Sequence, residues 1–258
     1  MTDVVLYEVD GPVATLTLNR PDRANTITLE LRSELQRFAL KAANDPSVRV
    51  LIVTGAERHF CGGADLNAPR GALTSIHQPN DPVLGLDWVP KPIIAAINGA
   101  AMGGGCEIAL GCDFRYISAT AKIGLTEIRF GALPMGGGTA RLPRLVGIAA
   151  ARRLIMVGEP IEADEALAIG LVDKVCAPDK LLAEARDFAL KLASRAPYAM
   201  RTAKRLLNES LEQNLATSLR MEVDLVSKMG TPEERQTARD EAAATSATYA
   251  GIFAKKDS

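Results

Sequence analysis

The amino-acid sequence predicts an α/β domain of layered type over residues 1–196, followed by an all-helical region over residues 197–258. Three observations carry that reading. Short apolar runs bounded by Gly, Pro, Asn or Asp alternate with stretches of helical period through about residue 150, the pattern of strands and helices stacked in layers. Two runs, residues 48–54 (VRVLIVT) and 93–97 (IIAAI), are apolar almost throughout and read as buried strands. After Ala196-Pro197 only helical spacing remains, with Leu206, Leu207, Leu211, Leu215, Leu219 and Val223 as its apolar stripe. Such a stripe needs a surface to cover, on its own domain or on a neighbouring subunit.

The elements follow in order. Residues 4–9 and 13–19 read as two strands joined by a turn at Asp10-Gly11-Pro12. Thr26 or Thr28 caps a helix in which Leu31, Leu35, Phe38 and Ala42 recur at helical spacing. The strand at 48–54 ends in a loop (ERHFCGGADLNAP), and the polar stretch from there to Pro90 carries no assignment. Lys91-Pro92 leads into the strand at 93–97, which Asn98-Gly99 breaks. Residues 107–113 read as helix, 114–118 as strand, and 123–134 as strand or loop. From about residue 140 the pattern is helical, with a last strand at 172–175.

Composition narrows the function. The 258 residues are 47% hydrophobic but only 4% aromatic, so the interior must be built from Ala, Val, Leu and Ile. A net charge of −1 gives no basic field for nucleic acid. No apolar stretch reaches the length of a membrane span, and the acidic N-terminus lacks the features of a signal peptide. Cys61, Cys106, Cys112 and Cys176 form no CxxC pair, which points to reduced packing thiols in a cytoplasmic protein and to no metal site. With only His59 and His77 present, histidine-based catalysis has few candidates.

The most informative stretch is AMGGGCEIAL, residues 101–110. Three glycines weaken any regular element, and Glu107 heads into an apolar run where an unpaired charge is expensive. A dinucleotide fingerprint fails, because the sixth residue counted from Gly103 is Ile108. The P-loop pattern occurs nowhere. Glycines at the mouth of a helix instead let a backbone N–H approach a ligand oxygen, and a second N–H from another loop completes an oxyanion hole. A second glycine loop lies upstream, Phe60-Cys61-Gly62-Gly63-Ala64-Asp65-Leu66, also after a buried strand.

These residues carry a resemblance. Ile94–Gly99, Gly103-Gly104-Gly105 and Cys106-Glu107 through Cys112-Asp113-Phe114 resemble the signature of the crotonase (enoyl-CoA hydratase/isomerase) superfamily. Asn19-Arg20-Pro21 with Asn25, the loop at 60–66, the segment from Thr126-Glu127 to Arg141-Leu142, and Gly170-Leu171-Val172 extend it in order, over about residues 4–210. The resemblance implies a spiral of repeated ββα units with a C-terminal helical trimerisation region, assembling as a homotrimer or hexamer. It implies acyl-CoA thioester substrates, with coenzyme A as part of the substrate and no other cofactor, and an enolate intermediate. Carried over by motif, the N–H groups of Ala64 and Gly104 hold the thioester oxygen, and Glu107 and Glu127 are the two catalytic acids. Arg23, Ala24, Gly62, Gly63, Asp65, Leu66, Gly103 and Met135 fall in the substrate-binding segments. Two acids imply hydration of a 2-enoyl-CoA, with Glu107 handling the water and Glu127 the α-carbon proton. A Δ3,Δ2-enoyl-CoA isomerase, a specialised dehydratase or a non-catalytic acyl-CoA carrier are the alternatives.

Plainer roles stand beside these. Glu107 could serve only its own helix dipole, Glu127 could pair with Arg129 or Arg141, and Gly136-Gly137-Gly138 could be an ordinary turn. Asp65 reads as a loop-fixing residue. Thr126 stands where the family usually has proline, Met135 where a glycine is common, and Asn67 where many hydratases carry lysine. The C-terminal ending also departs from the family pattern, leaving Lys255 and Lys256 as candidates for a phosphate contact.

Overall fold

The computed structural model describes residues 3–65 and 86–245. The chain falls into two compact units, dividing between Ala193 and Ser194.

In the first unit, β1 (Val5–Asp10) turns back at Gly11-Pro12 into β2 (Val13–Leu18), antiparallel, with Val5 opposite Leu18. Helix α1 (Leu29–Asn44) starts where Thr28 Oγ1 accepts the N–H of Leu31 at 3.2 Å. It buries Leu31, Leu35, Ala39 and Ala42, one stripe of a 3.6-residue period. Three strand pairs follow: β3 (Val50–Gly55) with β4 (His59–Cys61), β5 (Ile93–Ile97) with β6 (Ala100–Met102), and β7 (Phe114–Ser118) with β8 (Lys122–Gly124). In each pair the first strand joins a six-stranded sheet, order β1-β2-β3-β5-β7-β10 with β10 at Lys174–Cys176, and the second joins a four-stranded sheet, order β4-β6-β8-β9 with β9 at Ile161–Glu162. The strands from β2 to β10 in the larger sheet run parallel. Each repeat therefore advances both sheets by one strand, which is the expected spiral. The corner between β5 and β6 depends on Gly99, where an added Cβ would sit 1.9 Å from the carbonyl oxygen of Arg58.

Helix α2 (Gly104–Leu110) follows β6, and a 3₁₀ turn at Glu127–Phe130 follows β8. Helix α3 (Gly138–Val157), broken at Gly147, then leads to β9 (Ile161–Glu162), α4 (Ala163–Ala168), β10 (Lys174–Cys176) and α5 (Leu181–Ala193). Both faces of the larger sheet are covered. Leu51, Val53, Ala95 and Ile97 point into the main core with Phe60 and Ile108. Val50, Ile52, Ile94 and Ala96 face Leu181, Ala185 and Ala189 of α5. Burial on both sides is why these strands read as unbroken apolar runs rather than alternating ones.

The last strand lies at 174–176 rather than 172–175. The N–H groups of Leu171 and Val172 both donate to Ala166 O, closing the end of α4, so the ladder begins only at Lys174. Residues 123–134 split into a strand end and the 3₁₀ turn, and His59 sits in a strand rather than a loop.

The second unit contains α6 (Pro197–Ser210), α7 (Leu215–Ser227) and α8 (Pro232–Thr245). Asn214 Oδ1 caps α7 by accepting the N–H of Thr217 at 3.0 Å. Thr231 and Glu234 form a reciprocal capping box at the start of α8. Along α7 the side chains of Leu215, Leu219, Val223 and Val226 form one exposed stripe, with Leu215 at 74% and Val223 at 71% exposure. Among the described residues no helix is long and apolar enough to cross a membrane.

Candidate active site

The site lies where strand ends of the smaller sheet meet helix starts. Gly103 adopts φ 52° and ψ −120°, a backbone conformation that residues with a Cβ avoid, and α2 begins one residue later. The N–H of Glu107 is the first to close the helix, donating to Gly103 O at 3.0 Å. The N–H groups of Gly104, Gly105 and Cys106 have no acceptor within the helix. Donors not used by the helix itself are what the bare glycines supply.

A second loop reaches the same point. Ile27 donates its N–H to Gly63 O (2.8 Å) and accepts the N–H of Asp65 (3.1 Å). This parallel bridge leaves the N–H of Ala64, between them, turned away from Ile27. A Cβ added to Gly104 would lie 3.8 Å from Ala64 N, and one added to Gly63 would lie 3.5 Å from Gly104 N. The two predicted donors are therefore on touching loops. Ala64 is exposed and Gly104 half-buried, so both can meet a ligand.

Residues 20–27 hold the first donor loop. Gly62 donates to Ala24 O at 2.8 Å, and Arg20 Nη2 pairs with Asp65 Oδ2 at 3.2 Å. Buried Asn25 accepts the N–H of Arg20 (2.8 Å) and donates to Ala56 O (3.1 Å) and His59 O (2.7 Å). Ala24 and Asn25 are both left-handed, at φ 50° and 53°, a strained corner that these bonds hold in place.

Glu107 is 3% exposed. Its Oε1 accepts the N–H of Gly136 at 2.7 Å and of Gly138 at 2.8 Å. Gly138 opens α3, so the carboxylate sits at the positive end of a second helix rather than serving only its own. The second glycine run is thus a cradle for the acid, a role that its sequence, legible only as a turn, does not reveal. A Cβ on Gly138 would fall 3.0 Å from Glu107 Oε1, 2.8 Å from Leu125 Cδ1 and 2.9 Å from Pro134 Cβ. We expect Gly138→Ala to push Glu107 out of register and lower kcat about 10- to 100-fold, checked by steady-state kinetics beside thermal melting.

Glu127 opens the 3₁₀ turn and lies over Gly103: a Cβ there would be 3.0 Å from Glu127 Oε1. Its Oε2 is buried and has no hydrogen-bond partner among the described residues. Arg141 pairs with Asp87, at 3.1 Å, and not with Glu127. A buried carboxylate oxygen without a partner among the described residues, beside a helix start, is an expensive arrangement for stability alone.

Burial dominates the electrostatics. It pushes Glu107 up to about 7; the charge of Glu127 adds to the rise, while the N–H groups of Gly138 and Gly136 and the Arg141 charge pull the other way. Burial also raises Glu127, against the pull of its own and Thr126's backbone N–H. The two acids titrate as a pair. The thiols offer no competing nucleophile: burial raises Cys61 to about 12 and Cys176 to about 11, and raises Cys106 as well. Among the described residues no His, Cys, Asp and Glu cluster could hold a metal ion.

The structure thus gathers Glu107, Glu127, Gly62, Gly63, Ala64, Gly103 and Gly104 at one place, with Ala24 and Asp65 behind them. Arg23 is exposed, and Met135, beside the Glu107 cradle, is 54% exposed. Leu66, Asn67, His77, Lys255 and Lys256 lie outside the described residues.

Comparison with known proteins supplies the family. The family model for enoyl-CoA hydratase/isomerase matches residues 8–245. The chain is 38% identical over 241 residues to the short-chain-enoyl-CoA hydratase of Clostridium acetobutylicum, covering 91% of this chain and 92% of that protein. It is 36% identical over 227 residues to the crotonyl-CoA hydratase of Syntrophomonas wolfei, covering 85% and 87%. Among solved structures, enoyl-CoA hydratase from Mycobacterium tuberculosis superposes with a TM-score of 0.86 at 28% identity, over 95% of this chain and 96% of that one.

Proposed function

The chain belongs to the enoyl-CoA hydratase/isomerase family, and we propose that it adds water reversibly across the double bond of a 2-enoyl-CoA to give a 3-hydroxyacyl-CoA. Coenzyme A enters as part of the substrate, and no other cofactor takes part. The observation that carries this reading is the pair of acids, buried Glu107 and half-buried Glu127 with its buried Oε2, flanking two touching donor loops.

In the proposed step a water oxygen bonds to C3 as the C2=C3 electron pair shifts toward the thioester oxygen. The N–H groups of Ala64 and Gly104 receive the charge that develops there, commonly the largest single catalytic effect. Glu107, ionised and fixed by Gly136 and Gly138, takes the proton of the water. Glu127, neutral, delivers a proton to C2 through the oxygen that the fold leaves unpartnered. Raised carboxyl groups allow both roles near neutral pH. Met135, exposed beside the cradle, is placed to shape the acyl site.

The exposed stripe on α7 supports assembly of copies of the chain, as a trimer or a dimer of trimers, with these side chains covered. Four buried cysteines, none of them in a disulfide, fit a reducing cytoplasmic setting.

The test is direct. Crotonyl-CoA and longer, branched and aromatic 2-enoyl-CoAs are incubated with the protein while loss of the conjugated thioester absorbance is followed. Formation of a 3-hydroxyacyl-CoA is expected. A moved double bond without hydroxylated product would make it an isomerase, and no turnover on any chain would end the reading.

A further inference from the structure

The cradle around Glu107 is itself held by one side chain. Arg141 lies in the first turn of α3, and its backbone N–H donates to Gly137 O at 2.8 Å. Its Nη1 donates to Gly136 O at 3.1 Å, and its Nη2 donates to both carboxylate oxygens of Asp87, at 3.2 and 3.1 Å. The guanidinium therefore ties the turn that grips Glu107 to a separate stretch of chain. Three consecutive glycines, with Gly137 at φ 103°, give that turn little stiffness of its own. Without the strap, the Gly136 and Gly138 donors have no fixed separation to match one carboxylate oxygen.

Arg141 also brings charge. The groups acting on Glu107 are Glu127 from the 3₁₀ turn, the two N–H groups of the cradle, and Arg141 from α3, the one cation among them. Cys106, its neighbour on α2, is a neutral buried thiol. Arg141 does not figure among the influences on Glu127. A cation beside Glu107 favours its ionised form, against the larger opposing effect of burial.

We propose that Arg141 is a positioning residue for hydration: its bonds to Gly136 O and to Asp87 clamp the Gly136–Gly138 turn around Glu107. Its catalytic meaning rests on the hydratase reading, but its action on Glu107 does not.

The free protein, labelled with ¹³Cδ-glutamate, is titrated by NMR, with the Glu107 resonance assigned from Glu107→Gln. Two variants separate charge from fork. Arg141→Gln keeps a donor for Gly136 O and loses the charge; Arg141→Lys keeps the charge and loses the fork. The Glu107 midpoint is expected to rise by on the order of half a pH unit in Arg141→Lys, because a loosened turn donates less well to Glu107, and to rise further in Arg141→Gln, which also loses the charge. With crotonyl-CoA, the acid limb of kcat/KM should move by the same amount in Arg141→Gln. An unmoved midpoint in a folded Arg141→Lys protein, which keeps the charge and loses only the fork, overturns the proposal. Absence of wild-type turnover, with the midpoint shift intact, counts against the hydratase reading and leaves the clamp standing.

Discussion

Glutamine in place of Glu107 is expected to lower kcat by about 10²- to 10⁴-fold with little change in acyl-CoA affinity. The substitution is nearly isosteric, and the amide oxygen can still accept the N–H groups of Gly136 and Gly138, which now hold Oε1 at 2.7 and 2.8 Å. What disappears is the basicity needed to take a proton from water. Glu127→Gln should cost a similar factor, for the opposite reason: its carboxyl must give a proton to carbon, and an amide cannot. Calorimetric titration with a saturated acyl-CoA, beside rate measurements on crotonyl-CoA, separates binding from chemistry. A wild-type rate in either variant would remove that residue from the mechanism.

The same substitution has a stability consequence of opposite sign. Burial lifts Glu107 from 4.5 to about 7 in the folded protein, so between those values the folded state holds its proton more tightly than the unfolded chain does. Stability from this group is therefore complete below about 4.5 and falls as pH rises toward 7. At roughly 1.4 kcal/mol per pH unit the full penalty is on the order of 3 kcal/mol. Glutamine cannot ionise and escapes it. Glu107→Gln should thus lose less thermal stability than wild type between pH 5 and pH 8, even as it loses turnover. A wild-type melting temperature that falls no faster than the variant's over that range would show that the buried acid carries no such cost.

The two glycine loops that the structure brings into contact, and the carboxylates beside them, were legible in the sequence because each sits in a compact local pattern: a strand, a break, glycines, then a helix start. Gly103-Gly104-Gly105 with Glu107 is one such pattern, and Phe60 to Asp65 is another. What the sequence hid is every contact made across the fold. The Gly136–Gly138 turn meets Glu107 from about thirty residues away, and three glycines before a helix serve many purposes, so nothing local marks them as a cradle. Asn25 reads as a loop residue until its amide is seen bridging to Ala56 and His59. The smaller sheet was missed for a different reason. Strands of two or three residues, such as Ile161–Glu162 and Ala100–Met102, are too short for a period-2 pattern to emerge. The stripe on α7 was plain from its spacing, but a periodic pattern names a buried face and not its occupant.

Replacing the amide of Ala64 by an ester, with lactic acid incorporated in place of alanine, is expected to lower kcat by about 10²- to 10³-fold. The change deletes one N–H and leaves the side chain as it was. Ile27 makes no bond to Ala64 N, so no hydrogen bond of the bridge is lost, although the Gly63 carbonyl that accepts the Ile27 N–H becomes a weaker ester acceptor. The Gly62–Ala24 bond and the Arg20–Asp65 pair are likewise untouched, so the loop should keep its place. If the N–H of Ala64 meets the thioester oxygen more strongly as charge builds there, the loss falls on kcat and leaves KM nearly constant. An equal ester at Asp65 is the control for loop integrity: it breaks the bond to Ile27 O and should lower the melting temperature more than the ester at Ala64. An Ala64 ester that turns over at the wild-type rate would place the second donor elsewhere and leave Gly104 without its partner.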